Sequence, residues 1–397
     1  MWQKIKNYYH LAQALLAAFI FSFPSNKIAV IGVTGTDGKT TTVHMIYEIL
    51  KASGQKVSMI SSVGAAIGSK DYDTGFHVTT PSAWQVQKYL RKAADSGNKY
   101  FILETTSHGL DQNRLAQVNF QIGVLTNISH DHLDYHGTWE NYAAAKAKLF
   151  KNVAFSILNF DDRKSFLFLK NRVSGQIITY AVKKSADINI KNFPIKLKIG
   201  GDYNLENALS AAATARALGI PKPKITRILA KFSLPKGRLQ EVNMGQDFRV
   251  VVDFAHTPNA LNRVLATLKS QTPKRLIVVF GAAGQRDKSK RKVMGKVADQ
   301  NADVIILTAE DSRNENVVDI CNQIASGIKN KTKGKNLFIV EERTNAINFA
   351  VSLAGENDTV GLFGKGHEKS MNFGKKETPW DEFKVASAAI RKKINDK

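Results

Sequence analysis

The sequence predicts an α/β protein made of two doubly wound units, each built on a mainly parallel sheet. Three observations carry this. Apolar, β-branched runs of strand length recur from Ile28 to Phe363, as buried parallel strands require. Stretches of helical length separate most of them, the alternation that produces βαβ crossovers. One segment with Pro and Gly close together, Ser233-Leu234-Pro235-Lys236-Gly237-Arg238, interrupts the series and reads as a hinge.

In chain order, Lys4 and Lys6 precede an apolar run from Leu11 to Phe21. This imitates a signal peptide, but no small-x-small cleavage site follows, and the run is too short to span a bilayer. Trp2, Ile5, Tyr9, Leu16, Phe19 and Phe23 fall roughly on one helical face. The expectation for residues 1–26 is a helix that docks on the body of the protein. An interfacial helix making weak membrane-surface contact is the alternative.

After Pro24, Ile28–Val33 is a buried strand feeding a Gly-rich turn and a helix from about Thr40 to Ala52. Strands follow at Tyr100–Glu104, Val124–Asn127, Ala154–Asn159 and Ile177–Tyr180, with a helix at Trp139–Phe150. This central domain spans 27–237. The C-terminal domain, 238–397, reads strands at Arg249–Phe254, Arg275–Gly281, Asp303–Leu307, Leu337–Val340 and Thr359–Phe363. Helices at Pro258–Ser270, Lys290–Gln300, Val317–Gly327 and Arg343–Ala354 separate them.

Composition narrows the class. Hydrophobic residues are 43% of 397, enough for packed cores and unlike disordered, collagenous or disulfide-scaffold chains. The single cysteine, Cys321, excludes an intrachain disulfide and fits a reducing, cytoplasmic setting. The net charge of +23 either attracts polyanions or reflects a solvated Lys-rich surface. No aromatic-interleaved basic stripe or zinc spacing accompanies it, so nucleic acid is not an expected partner.

The turn after the first strand is Gly35-Thr36-Asp37-Gly38-Lys39-Thr40. Backbone N–H groups there can point at an anion, and the helix N-terminus favours negative charge. Lys39 would neutralise phosphate and the Thr40 hydroxyl would coordinate magnesium. The loop departs from G-x-x-x-x-G-K-T because Val33 takes the first glycine position. Glu104 ends a strand, where parallel sheets place ligand groups. The next strand runs into a loop with His130, Asp131, His132, Asp134 and His136, five titratable groups in seven positions. A metal site and a solvated polar loop both explain it. Lys146 reads as an ordinary solvated helix lysine.

Together these motifs resemble the Mur ligases, the amino-acid-adding enzymes of peptidoglycan synthesis, and among them the tripeptide synthetases. The first motif is Ile31-Gly32-Val33-Thr34-Gly35-Thr36-Asp37-Gly38-Lys39-Thr40-Thr41-Thr42, and the likeness extends from about residue 28 to 390. It implies a central P-loop ATPase-like domain and a C-terminal Rossmann-like domain. It also implies ATP and magnesium as cofactors, with Lys39, Glu104, His132 and Lys146 catalytic. Thr40, Glu104, His132 and Lys146 would serve the metals, Lys146 as a carbamate (N6-carboxylysine) that turns a cation into an anion.

The resemblance places Asn207, Arg238, Asp253 and His256 at the nucleotide beside the loop residues Gly35 to Thr41. They come from Asp202-Tyr203-Asn204-Leu205-Glu206-Asn207, from Gly237-Arg238, and from Asp253-Phe254-Ala255-His256-Thr257-Pro258-Asn259-Ala260. Val78-Thr79-Thr80-Pro81 resembles the loop that contacts the UDP-MurNAc-dipeptide acceptor. It implicates Thr79 and Thr80 there, with Thr106, Gln112 and Arg114. Gly281-Ala282-Ala283-Gly284-Gln285-Arg286-Asp287 would give Arg286 to the amino acid's carboxylate. Gly364-Lys365-Gly366-His367-Glu368 matches a subfamily hallmark, with Gly364 and Glu368 at the distal end of a diamino acid. Between them the family pattern T-S-D-N-P-R becomes Thr308-Ala309-Glu310-Asp311-Ser312-Arg313. Arg313 favours a distal carboxylate, as in diaminopimelate, whereas the extra acidity of Asp311 beside Glu310 and Ser312 suits the distal ammonium of lysine.

The resemblance also implies an N-terminal uridine-binding domain, for which the 26 residues before the first strand offer only the apolar helix. The expected enzyme is thus a monomeric ATP-dependent acid–amino acid ligase acting through an acyl-phosphate. A folylpolyglutamate-synthetase-like ligase and a non-catalytic nucleotide-binding relative are the rivals.

Overall fold

The structure is a computed structural model describing residues 2–73, 79–374 and 376–396. Val78 of the acceptor-loop motif lies outside the described residues, as do the side chains of Trp2 and Lys4. The chain forms two compact units. The first is Met1–Ser129 with His136–Ser233, and the second is His130–Tyr135 with Leu234–Lys397.

The first unit carries a nine-stranded sheet: β1 (Ala29–Thr34), β2 (Val57–Ile60), β3 (Ala65–Ile67), β4 (Lys70–Tyr72), β5 (Tyr100–Glu104), β6 (Phe120–Leu125), β7 (Phe155–Asn159), β8 (Gln176–Ala181) and β9 (Ile188–Asn189). Their spatial order is β4-β3-β2-β5-β1-β6-β7-β8-β9. Every neighbour pair is parallel except β2–β3 and β3–β4 at one edge. Strand β1 pairs with β5 on one side and β6 on the other, so the loops after these three strands meet at the carboxyl end. In parallel α/β sheets that crevice holds ligands.

The expected strand Val124–Asn127 is displaced, since β6 ends at Leu125. Thr126 and Asn127 instead turn their side chains to the carbonyl of Asp37. The Asn-bearing motif forms the first turns of a helix, Asp202–Ala217. The helix expected at Trp139–Phe150 ends at Ala147 and tightens into a 3₁₀ turn, Lys148–Phe150.

Helix α1 (Trp2–Ile20) docks on the first unit beside α3 (Ala83–Asp95), but by an unexpected face. Ala14, Ala17 and Ala18 are the buried residues, whereas Ile5, Tyr9, Leu16 and Phe19 are more than half exposed and Phe23 is also exposed. Three alanines at i, i+3 and i+4 form a flat stripe that lets helix backbones approach closely, which large side chains on the same face would prevent.

The second unit has a six-stranded sheet: β10 (Gln240–Glu241), β11 (Arg249–Asp253), β12 (Leu276–Phe280), β13 (Val304–Leu307), β14 (Leu337–Ile339) and β15 (Thr359–Phe363). The order is β10-β11-β15-β12-β13-β14, parallel except for β10. Alternation along β11 feeds two cores. Val251 packs with Leu261, Met294 and Ile320, and Val250 and Val252 pack with Ile347, Ala386 and Ile390. A hairpin of β16 (Ser370–Phe373) and β17 (Lys376–Pro379) and a last helix, Glu382–Asn395, were not visible in the sequence patterns.

Candidate active site

In the first unit the phosphate loop runs from β1 into α2 (Lys39–Ala52). Gly38 caps α2 with φ +82°, and a Cβ there would fall 2.2 Å from the Asn207 carboxamide oxygen. Only glycine meets both demands. The loop is stapled by the chain following β6. Thr36 N–H donates to the Asn127 carbonyl at 2.8 Å, and the Thr126 hydroxyl donates to the Asp37 carbonyl at 2.7 Å. The ammonium of Lys39 lies over the loop, donating to the carbonyls of Gly35 (3.2 Å) and Thr36 (2.7 Å).

Glu104, buried at the end of β5, accepts from the Thr40 hydroxyl at 3.2 Å and from Ser62 N–H at 2.9 Å. A hydroxyl and a carboxylate at this separation are hard oxygen donors, which suits magnesium. Lys146 is 1% exposed, and its Nζ donates to the Gly35 carbonyl at 2.6 Å while sitting 4.4 Å from the centre of the Tyr142 ring. The solvated-lysine reading is thereby excluded. Thr41 is buried in the first turn of α2. Among the described residues no three His, Cys, Asp or Glu side chains are grouped as a metal cage.

Beside Glu104, three of the expected acceptor residues, Thr80, Thr106 and Arg114, form one network. The Thr80 hydroxyl donates to the Glu104 carbonyl at 3.2 Å and accepts from Thr106 N–H at 2.8 Å. The Arg114 guanidinium bonds the carbonyls of Thr80 and Pro81. Gln112 ends the short helix that Thr106 caps. Thr79 is partly buried beside Thr80. His136 is buried against Tyr142 and contacts the Ser107 hydroxyl at 3.0 Å. Burial, aided by the charges of Lys146 and Lys148 and opposed by Asp111, lowers its pKa to about 4, so it is neutral.

His132 belongs to the second unit. Its φ is +56°, and its Nε2 is 3.4 Å from Asp131. Asp131 is held well below the usual carboxylate range. Burial opposes this, and Lys290, His132 and His256 outweigh it. His130 contacts Asp287 and Ser289 at 3.1 and 3.0 Å.

At the end of β11, Asp253 accepts from Leu239 and Ala255 N–H at 2.7 and 2.8 Å. Burial raises its pKa although Arg238, which lies over the Phe254 ring, opposes this. His256 packs its ring on the same Phe254 and contacts that residue's carbonyl at 3.0 Å.

The loops after β12, β13 and β15 bring the remaining residues together. Arg313 donates to the Gly284 carbonyl at 2.9 Å, and burial together with the neighbouring Arg286 charge lowers its pKa. Arg286 itself is exposed. Glu310 is buried, and its Oε2 has no partner among the described residues. That oxygen faces Gly364, where a Cβ would come within 2.6 Å. Burial, with the Asp311 charge, raises the Glu310 pKa to about 7, although Lys290, Lys365 and Arg343 pull the other way. Asp311 and Glu368 both hold the buried Lys365 ammonium, at 2.9 and 2.5 Å. The extra acidity read from the sequence at Asp311 is thus partly offset within the protein. Ser312 is buried, its carbonyl against Gly284.

The chain is 37% identical to the UDP-N-acetylmuramoyl-L-alanyl-D-glutamate–2,6-diaminopimelate ligase of Caldanaerobacter subterraneus subsp. tengcongensis, over 96% of this chain and 81% of that protein. It belongs to the Mur ligase family. The Mur ligase middle domain matches residues 33–215, and the Mur ligase glutamate ligase domain matches 237–366. A UDP-N-acetylmuramyl-tripeptide synthetase of Borreliella afzelii is 38% identical over 92% of this Mur ligase and 78% of its own length. A solved diaminopimelate ligase of the same kind has a TM-score of 0.61 at 31% identity, covering 92% of this chain and 79% of that one. The Mycobacterium tuberculosis folylpolyglutamate synthase shares the fold, with TM-score 0.69 at 16% identity over 98% of this chain and 95% of that one. As a Mur ligase, this chain is an ATP-dependent carbon–nitrogen ligase.

The sequence patterns missed Ser62, Tyr142, Asn127 and Lys365. Ser62 follows the short strand β2, and Tyr142 and Lys365 reach their partners only through the fold. Asn127 carried a signal, a polar residue ending an apolar run, but was read as strand.

Proposed function

We propose that this Mur ligase adds meso-diaminopimelate to UDP-MurNAc-L-Ala-D-Glu in the cytoplasm, acting as a monomer in peptidoglycan precursor synthesis. The observation that carries the choice of amino acid is the second-unit pocket. Arg286 and Arg313 offer two cations to carboxylates, and the unpartnered Glu310 Oε2 offers an acceptor to an ammonium. Because Lys365 pairs with both Asp311 and Glu368 and offsets half of their charge, Arg286 and Arg313 tip the pocket towards a distal carboxylate over the bare ammonium of lysine.

Lys39 and the N–H groups from Gly35 to Thr41 bind the ATP phosphates, with Asn207, Arg238, Asp253 and His256 at the nucleotide. Thr40, Glu104, His132 and Lys146, the last as a carbamate, would hold magnesium, which would supply screening of the phosphate charge. Thr79, Thr80, Thr106, Gln112 and Arg114 orient the acceptor. Its carboxylate oxygen attacks the γ-phosphorus, the bond to ADP breaks, and an acyl-phosphate forms. The amino group then attacks the acyl carbon and loses a proton as phosphate leaves. Positioning and charge stabilisation supply most of the acceleration.

Purified protein is expected to release phosphate from ATP with UDP-MurNAc-L-Ala-D-Glu only when diaminopimelate is added. Lack of amino-acid-dependent release across a panel including lysine would sink the reading. Lys146→Ala is expected to lower turnover about 100-fold or more, with activity regained when a short carboxylate is supplied in solution. Unchanged turnover would remove the carbamate.

A further inference from the structure

Helix α1 has two faces of opposite character. Inward, Ala14, Ala17 and Ala18 are 0–1% exposed. Outward, Ile5, Tyr8, Tyr9, Leu16, Phe19 and Ile20 are 53, 72, 62, 52, 70 and 56% exposed. At 3.6 residues per turn these six fall within an arc of about 120° opposite the alanines. Scattered apolar residues on a surface need no explanation, but a contiguous stripe of aromatic and aliphatic side chains marks a contact.

Charge chooses among the occupants. With a net charge of +23, a second copy of this chain is repelled at long range, while an anionic surface is attracted. Lys6, on the same helix, is exposed as well. Among the described residues no helix is long and apolar enough to cross a membrane, which leaves a helix lying in the plane of the interface. Tyrosine and phenylalanine suit that boundary, with their rings at the level of the headgroups.

We propose that α1 is an interfacial anchor: its outward stripe inserts at the headgroup boundary of an anionic bilayer while its alanine stripe stays on the body of the protein. The test is flotation of the full chain with phosphatidylglycerol/phosphatidylcholine vesicles and with phosphatidylcholine alone. Co-flotation with the anionic vesicles is expected, falling about tenfold on neutral vesicles or in high salt. Leu16→Glu with Phe19→Glu is expected to lower it about tenfold as well, with thermal midpoint and ligase turnover unchanged. Tyr9→Ser with Ile20→Ser provides the same readout should the first pair fold poorly. Absence of flotation, equal flotation on neutral vesicles, or indifference to both variant pairs would overturn the anchor. So would a concentration-dependent dimer in sedimentation that the variants dissolve, since that assigns the stripe to a second copy.

Discussion

The phosphate loop of the first unit and the loops proposed to hold the amino acid in the second stand at the same place on two mainly parallel sheets, yet they are built from different materials. Around Gly35 to Lys39 the loop is held mainly by neutral groups: backbone carbonyls, the Thr126 hydroxyl and the Asn127 carboxamide. Around Glu310 and Gly364 the backbone hangs on buried ions. Arg343 donates to the Ala309 and Phe363 carbonyls and to both oxygens of Glu382. A polyanion needs N–H groups and a cation, which a turn and one lysine provide. A zwitterionic substrate needs both signs at fixed spacing, and fixed charges in a buried place need partners of their own.

The contrast is tested most severely at Glu382. Both Glu382 and Arg343 have fully buried side chains, so Glu382→Ala leaves a guanidinium uncompensated and is expected to cost about 3–5 kcal/mol in urea unfolding. A cost below about 1 kcal/mol would show that the ionic frame does not hold the second site. Glu104→Gln probes the carboxylate beside that neutral frame, where the expected loss is in turnover, about 100- to 1,000-fold. Its unfolding midpoint should stay near that of the parent, because the glutamine carbonyl can still accept from Ser62 N–H while its NH2 donates to the Thr40 hydroxyl oxygen.

Glu310→Gln separates function from stability. The Glu310 pKa is raised to about 7, so its stabilising neutral form is fully present below the unfolded value and is lost as pH rises through 7. Above pH 7 the glutamine variant, without substrate, is expected to gain about 1–3 kcal/mol. In the parent the KM for the amino acid should fall as pH rises through 7, when the carboxylate becomes available to an ammonium, and the variant should lose that inflection. The smallest effect is expected at His136. Its pKa is depressed to about 4, so its contribution is present above the unfolded value near 6.5 and is lost as pH falls from there towards 4. Urea midpoints across that window should slope less in His136→Gln than in the parent.

The parts legible from sequence share a cause. The phosphate loop, Glu104 and β5 could be read because strand, turn and helix follow one another within a short stretch of chain, and the order of elements dictates where the loop points. The Lys365–Asp311 pair spans 54 residues of sequence and joins two loops, so neither residue signals the other. Lys146 had its residue type and helix visible but not its burial, because an Ala-rich helix has no clear apolar face. Helix α1 misled for a related reason. Periodicity weighs large side chains most heavily, and the docking face was chosen by small ones.

Arg343 carries a practical corollary. One guanidinium ties the carbonyl before Glu310, the carbonyl before Gly364 and a carboxylate on the last helix of the chain. The first turn of that helix is therefore tied to the loops proposed to select the amino acid. An affinity tag or a trimmed end that loosens that helix should register first as weakened amino-acid binding, in a protein that still looks folded and still holds nucleotide.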